Sequence, residues 1–75
     1  MGKLRHPTGI EMVRFLQRQG FDLVRVRGSH HVMVSGPQHT VVPVHGTRTL
    51  KTGTLRKILR DVGLSPADFE RLWNT

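Results

Sequence analysis

The stretch FDLVRVRGSHHVMV, residues 21–34, decides the fold of this chain. Its two halves are rich in β-branched residues and alternate apolar with polar side chains, which is typical of strands. The Gly28-Ser29 pair between them is typical of a tight hairpin turn. The segment TVVPVH, residues 40–45, has a similar texture, and Pro43 favours an edge position because proline cannot donate to a ladder. We therefore predict a three-stranded antiparallel meander.

Helices are predicted on either side of these strands. Thr8 and Glu11 have the spacing of a capping box, and apolar residues at helical spacing follow until Gly20, so a first helix is predicted over about 9–19. After a linker at 46–53, a second helix is predicted from an N-cap at Thr52 to Gly63. Its apolar residues have the spacing of one buried helix face and are Leu55, Ile58, Leu59 and Val62.

A third, short helix is predicted within 65–75, because Pro66 suits a first helical turn. One domain is predicted to span 1–75, with a basic extension at 1–7 and a core at 8–64. Helices with one apolar face each need a surface to cover, and a sheet with one buried face supplies it. The predicted fold class is α+β, a two-layer sandwich with the helices on one face of the sheet.

The composition favours a polyanionic partner. Twelve Lys and Arg residues against five Asp and Glu give a formal net charge of +7 at pH 7, a strong positive field for so small a domain. The chain has no cysteine, which excludes disulfides and is compatible with a reducing cytoplasm. No apolar run approaches the roughly 20 residues of a membrane span. We therefore expect a nucleic acid as the first partner, an acidic protein as the second, and no membrane.

Basic residues cluster around the second helix. Asp61 is the only acid that the helix sequence offers against them, whereas a face that serves solubility usually mixes charges of both signs. The free N–H groups at a helix N-terminus also attract phosphate. Arg25 and Arg27 add positive charge on the first strand. The predicted cationic stripe consists of Lys51, Arg56, Lys57 and Arg60.

The adjacent histidines are the candidate catalytic groups. Neighbours on a strand point to opposite faces, so one metal ion does not easily take both His30 and His31. A structural zinc site needs four ligands, and this chain has no cysteine and few acids, so we predict neither a metal nor a cofactor. Val32 and Val34 share the face of His30, which predicts that this face is inward. His30 is then a reactive or simply packed residue at the core rim, and His31 is solvated or contacts RNA.

Three separated blocks resemble HicA-like toxins, the small mRNA-cleaving partners in HicA–HicB toxin–antitoxin pairs. The resemblance covers roughly residues 9–65 and includes a first helix that closes on the dipeptide GF. It implies a fold like that of the double-stranded-RNA-binding domain, α-β-β-β-α. The blocks are RGSHH at 27–31, VVPVHG at 41–46 and LKTGTLRKILRDVGLS at 50–65.

The resemblance also implies a metal-independent endoribonuclease that acts on mRNA and is silenced by an acidic, HicB-like antitoxin. The histidine of the family's Gly-Ser-His element is catalytic, and that element matches Gly28-Ser29-His30, with His31 as the alternative. An imidazole with a pKa of about 6.5 can take the proton of the RNA 2′-hydroxyl at neutral pH. The expected RNA-binding residues are Arg27, Gly28, Ser29, Lys51, Arg56, Lys57 and Arg60.

Two other functions stay open from the sequence alone. A non-catalytic RNA-binding module of the same fold would need the cationic stripe but no histidine at the Gly-Ser turn. A protein-interaction domain would explain neither the stripe nor the histidine. The sequence leaves the oligomeric state open, and we expect the toxin alone to be a monomer.

Overall fold

In a computed structural model, which describes residues 4–75, the chain forms three helices and one three-stranded antiparallel sheet. The second strand along the chain is central and the third is an edge strand, as the proline in the third strand predicts. This confirms the α+β sandwich, while the first three residues of the predicted basic extension lie outside the described part. The elements are α1 (Gly9–Arg18), β1 (Asp22–Arg27), β2 (His30–Ser35), β3 (Gln38–Pro43), α2 (Thr52–Asp61) and α3 (Pro66–Trp73).

Local hydrogen bonds set both ends of α1. The Thr8 hydroxyl accepts the Glu11 N–H at 3.2 Å, and the Glu11 carboxylate accepts the Thr8 N–H at 2.8 Å. This confirms the predicted capping box. At the other end Gly20 has φ +94°, and the Phe21 N–H turns back to the Leu16 carbonyl at 3.0 Å. The chain therefore leaves the helix directly into β1.

A two-residue turn joins β1 to β2 and fixes their register. Gly28 has φ +59°, and a positive φ at the first of two turn residues is the pattern of a type II′ hairpin. Arg27 lies opposite His30, and Val26 lies opposite His31. The predicted hairpin is confirmed.

The structure buries the face of β2 that the sequence predicts to be solvent-exposed. Met33 is fully buried, and His31 lies half-buried on the same helix-covered inner face. His30 is exposed on the open outer face, together with the half-exposed Val32 and Val34. The prediction that His30 points inward is therefore wrong. Valine suits any pleated, half-covered surface, so these two valines did not mark the core.

The core lies between the inner face of the sheet and all three helices. Phe15 of α1 meets Phe69 of α3 edge to face, with ring centroids 5.1 Å apart, and Trp73 stacks on Phe15 at 5.4 Å. No helix within residues 4–75 is long and apolar enough to cross a membrane. The largest fully buried apolar side chains are Met12, Phe15, Leu16, Met33, Val42, Leu55, Ile58, Leu59 and Phe69.

The N-termini of α1 and α2 meet at the end of the sheet where β3 finishes. A Cβ on Gly9 would lie 2.3 Å from the Pro43 carbonyl oxygen, so only glycine permits this close approach of α1 to β3. The Leu50 N–H donates to the Pro7 carbonyl at 2.8 Å, which ties the loop before α2 to the segment before α1. Both helices therefore begin beside the β1–β2 turn.

The N-cap of α2 is Lys51, and the prediction of Thr52 is wrong. The backbone of Lys51 is extended, with φ −70° and ψ 152°, and its side chain makes no capping hydrogen bond. The bond from Leu50 to Pro7 holds the preceding residue outside the helix. Helical geometry starts at Thr52, one residue earlier than an N-cap at Thr52 would give.

Asp61, at the last turn of α2, ties this helix to β3. Its carboxylate accepts a hydrogen bond from the Lys57 ammonium at 2.9 Å and another from the buried Thr40 hydroxyl at 2.9 Å. These bonds, that of Lys57 first, hold the pKa of Asp61 below its ordinary value. The stabilisation that follows is present above the ordinary pKa of the group and is lost as the pH falls through the lowered, folded-state pKa.

Thr40→Val is expected to lower the free energy of unfolding by about 1–2 kcal/mol at neutral pH, because it removes a hydrogen bond to a charged group. Urea denaturation measures the loss, which should shrink in acid once Asp61 is protonated. The matched control is Lys57→Ala, which breaks an exposed i,i+4 pair and should lower the same free energy by about 0.5 kcal/mol or less. A Thr40→Val loss that stays constant down to acidic pH would contradict the role of the carboxylate.

Candidate active site and nucleic-acid interface

The backbone carbonyl of Ser29, in the β1–β2 turn, contacts two neighbouring groups. It accepts the Val44 N–H at 2.8 Å and lies 3.2 Å from Nδ1 of His31. Because a carbonyl oxygen can only accept, Nδ1 of His31 is the donor in this contact. His31 is thus a rim residue with one satisfied ring nitrogen, which is the structural role that the sequence offered to His30.

His30 occupies the same end of the sheet on the outer face. It is exposed, and its cross-strand partners are Arg27 on β1 and Pro43 on β3. Directly opposite residues of an antiparallel pair have Cβ atoms about 4.5–5.5 Å apart, so the side chains of His30 and Arg27 start from neighbouring positions on one face. Arg25 follows on the same face, opposite Val32. An exposed imidazole, which can accept a proton, thus shares the outer face of the sheet with two exposed arginines.

A cleft of 350 Å³ adjoins this end of the sheet. Pro43 forms one wall, and Lys51 and Thr54 at the start of α2 form another. His45 and Arg48, in the loop between β3 and α2, add an imidazole and a second cation to the lining. Neither of these last two residues is among the site residues that the sequence predicts. The available signal was the recurrence of His45, Arg48 and Lys51 at intervals of three in a short loop.

The predicted cationic stripe on α2 is divided by the fold. Lys51 lies at the end of the molecule that holds Gly28 and Ser29, whereas Arg60 lies nine residues further along, about 13 Å away at the helical rise. Lys57 is engaged with Asp61. Because α2 packs on the inner face, its exposed cations and His30 lie on opposite sides of the sandwich. The residues that share the side away from the outer face are Arg56, Lys57 and Arg60.

The other histidines have different surroundings. Nδ1 of His6 lies 3.1 Å from the Leu50 carbonyl, so it also donates to a backbone acceptor. His39 is an exposed residue of β3, near its start. Within residues 4–75 no three His, Cys, Asp or Glu side chains come together in a way that could hold a metal ion.

Comparison with known proteins adds a family to this geometry. None of the curated proteins matches the chain. Among protein families, residues 9–64 match the HicA toxin of bacterial toxin–antitoxin systems. The matched region contains the sheet, α1, α2 and the loop that lines the cleft, and it leaves α3 outside. The chain belongs to the HicA toxin family.

Proposed function

We propose that this HicA-family toxin is an endoribonuclease that cleaves mRNA without a metal ion, with His30 as the general base. The observation that carries the proposal is the position of His30, an exposed imidazole opposite Arg27 on the uncovered face of the sheet. An mRNA strand can reach this face without any rearrangement of the helices. The cytoplasm, where mRNA is translated, is the proposed location.

The proposed reaction uses the nucleophile that RNA carries. His30 takes the proton of a 2′-hydroxyl, the 2′-oxygen attacks the adjacent phosphorus, and the bond from phosphorus to the 5′-oxygen breaks. The departing 5′-oxygen takes up a proton, so the products are a 2′,3′-cyclic phosphate and a 5′-hydroxyl. Arg25 and Arg27 stabilise the negative charge that builds on the non-bridging oxygens. A positioned base contributes about 10²–10⁴ to such a rate.

The choice between the two adjacent histidines follows from their hydrogen bonds and faces. His31 also has a free Nε2, but its ring is half-buried on the inner face and Nδ1 is held by Ser29. His30 is exposed on the face where Arg25 and Arg27 lie. We therefore assign the base to His30 and keep His31 as the alternative, with a structural role at the turn.

His30→Ala is expected to abolish growth arrest in an expressing bacterium while leaving the free energy of unfolding unchanged. His31→Ala should keep the toxicity and lower the free energy of unfolding by about 0.5–1.5 kcal/mol, because it removes one hydrogen bond to the turn. Growth curves and urea denaturation of the two purified variants form a matched pair. Toxic His30→Ala together with a folded, non-toxic His31→Ala would transfer the catalytic role to His31.

The reaction class is tested on a long RNA with purified protein. Cleavage is expected to be unaffected by EDTA and to stop when a single 2′-deoxy nucleotide replaces the nucleotide before the cut site, because the nucleophile is then missing. Loss of activity in EDTA that a divalent ion restores would overturn the metal-independent mechanism. Cleavage of the deoxy substrate at the same site would overturn the 2′-hydroxyl mechanism.

A non-catalytic RNA-binding module is the second candidate, and the exposed cations on α2 are the observation that favours it. Arg56 and Arg60 lie on the side of the sandwich away from His30. There they are placed to contact phosphates far from any reacting group. RNA binding without cleavage in the preceding experiment would favour this candidate over the endoribonuclease.

Replacing both Arg56 and Arg60 with alanine should weaken RNA binding and reduce its salt dependence. Each lost phosphate contact lowers the slope of log K against log salt by about 0.7 for single-stranded RNA. Fluorescence titrations at several salt concentrations measure the slope. Lys57→Ala is the matched control with a smaller effect, since its charge is already paired with Asp61. An unchanged slope in the double variant would show that these arginines are only solvated.

The family implies a HicB-type antitoxin as a partner, and we propose that it covers the outer face of the sheet. That face combines half-exposed apolar side chains, Val41 being 38% exposed, with the two arginines of β1. A partner with acidic and apolar side chains complements it, and electrostatic attraction would speed the encounter. Such a partner would hide His30 directly.

Reversing the charge of both Arg25 and Arg27 to glutamate should therefore weaken antitoxin binding and remove most of the salt dependence of the association rate. Surface plasmon resonance with immobilised antitoxin measures both quantities. Arg14→Glu, at an exposed position on α1, is the control and should bind almost as the wild type does. Equal losses in the control and the double variant would show that the antitoxin docks elsewhere.

A further inference from the structure

We propose that His45 is a second catalytic residue, the general acid that protonates the leaving 5′-oxygen. The inference rests on the proposed endoribonuclease function and deepens it. The resemblance implies a single catalytic histidine. In such a mechanism water has to protonate the departing 5′-oxygen. The structure offers another imidazole at the right end of the sheet.

The backbone places His45 close to His30. His30 and Pro43 are partners across β2 and β3, and partner Cα atoms of an antiparallel pair lie about 4.5–5.5 Å apart. His45 is two residues beyond Pro43 and therefore at most about 7 Å further. The bond from the Val44 N–H to the Ser29 carbonyl, at 2.8 Å, keeps this part of the chain against the β1–β2 turn. The Cα atoms of His30 and His45 are therefore at most about 13 Å apart, a separation that two imidazole side chains can bridge to one phosphodiester.

The surroundings of His45 fit a polyanionic substrate. It is exposed and lines the cleft together with Arg48 and Lys51. The Arg48 N–H donates to the His45 carbonyl at 3.0 Å, so one tight turn carries both side chains. A phosphate held by these cations would be a neighbour of the scissile one along the strand. Binding there would bring the 5′-oxygen of the scissile linkage towards His45.

The two histidines exchange protons in opposite directions. His30 gains the proton of the 2′-hydroxyl as the bond between the 2′-oxygen and phosphorus forms. The bond from phosphorus to the 5′-oxygen breaks, its electron pair stays on that oxygen, and protonated His45 supplies the proton. The enzyme is left with His30 charged and His45 neutral, and exchange with water restores the starting state. Histidine is the side chain best suited to act either as acid or as base near neutral pH.

The test compares two RNA substrates that differ in one atom, with the full-length protein. In the second substrate sulfur replaces the bridging 5′-oxygen at a single cleavable linkage, and a thiolate leaves without being protonated. His45→Gln is expected to cleave the oxygen substrate about 10²–10⁴-fold more slowly than the wild type and the sulfur substrate at nearly the wild-type rate. The matched control is His39→Gln, a substitution at the opposite end of β3 from Pro43. It should cleave both substrates at the wild-type rate.

The ratio of the two rates within one protein sample does not depend on the folded fraction, so a destabilised variant still decides the question. An equal slowing of His45→Gln on both substrates, or no slowing, would overturn the role of His45 as the acid. If His6→Gln, rather than His45→Gln, cleaved the oxygen substrate slowly and the sulfur substrate at nearly the wild-type rate, the acid would be His6, which contacts the same loop. A wild-type protein that cleaves neither substrate would refute the endoribonuclease function itself, which is a separate result.

Discussion

Met33 of the central strand is fully buried under the helices. Its burial fixes which side chains of β2 face the core and which face solvent. Side chains alternate along a strand, so a shift of one residue would exchange the two faces. With Met33 inward, His31 is drawn to the core rim and His30 is left in solvent. Arg27, opposite His30, takes the same face. The candidate chemistry of the outer face therefore depends on an apolar contact on the inner face.

Local sequence patterns predicted the helices and strands well. The predictions that were wrong concern features set by long-range contacts. The capping box at Thr8, the Gly28 turn and the edge position of β3 depend on neighbours in sequence, and all three are confirmed. The inward face of β2 depended on which helix side chains would meet it, and valines fit both faces. The loop before α2 is held by a bond from Leu50 to Pro7, more than 40 residues earlier. His45 and Arg48 line the cleft together with Lys51, and their spacing of three residues was the local signal for it.

The parts of the chain outside the family match brace the loop that lines the cleft. Arg5 bonds the Glu70 carboxylate from its Nε at 3.2 Å and lies 5.1 Å from the ring centroid of Trp73, and this hydrogen bond holds the pKa of Glu70 below its ordinary value. The two residues after Arg5 then contact the backbone of Leu50. α3 thus anchors a short segment that in turn holds the start of α2. Among the residues that the structure describes, these additions stabilise the surroundings of the candidate site and place no side chain on the outer face.

The two-layer architecture separates the candidate reacting groups from the helix cations. His30 and the arginines of β1 lie on one side of the sandwich, and Arg56 and Arg60 lie on the other. On the proposed assignment, contacts on the helix side would hold RNA without positioning a particular phosphate for attack. A protein that covers only the outer face could then stop cleavage while part of the RNA affinity persists. Binding and cleavage would be separable in this toxin because the sheet lies between the residues that serve each of them.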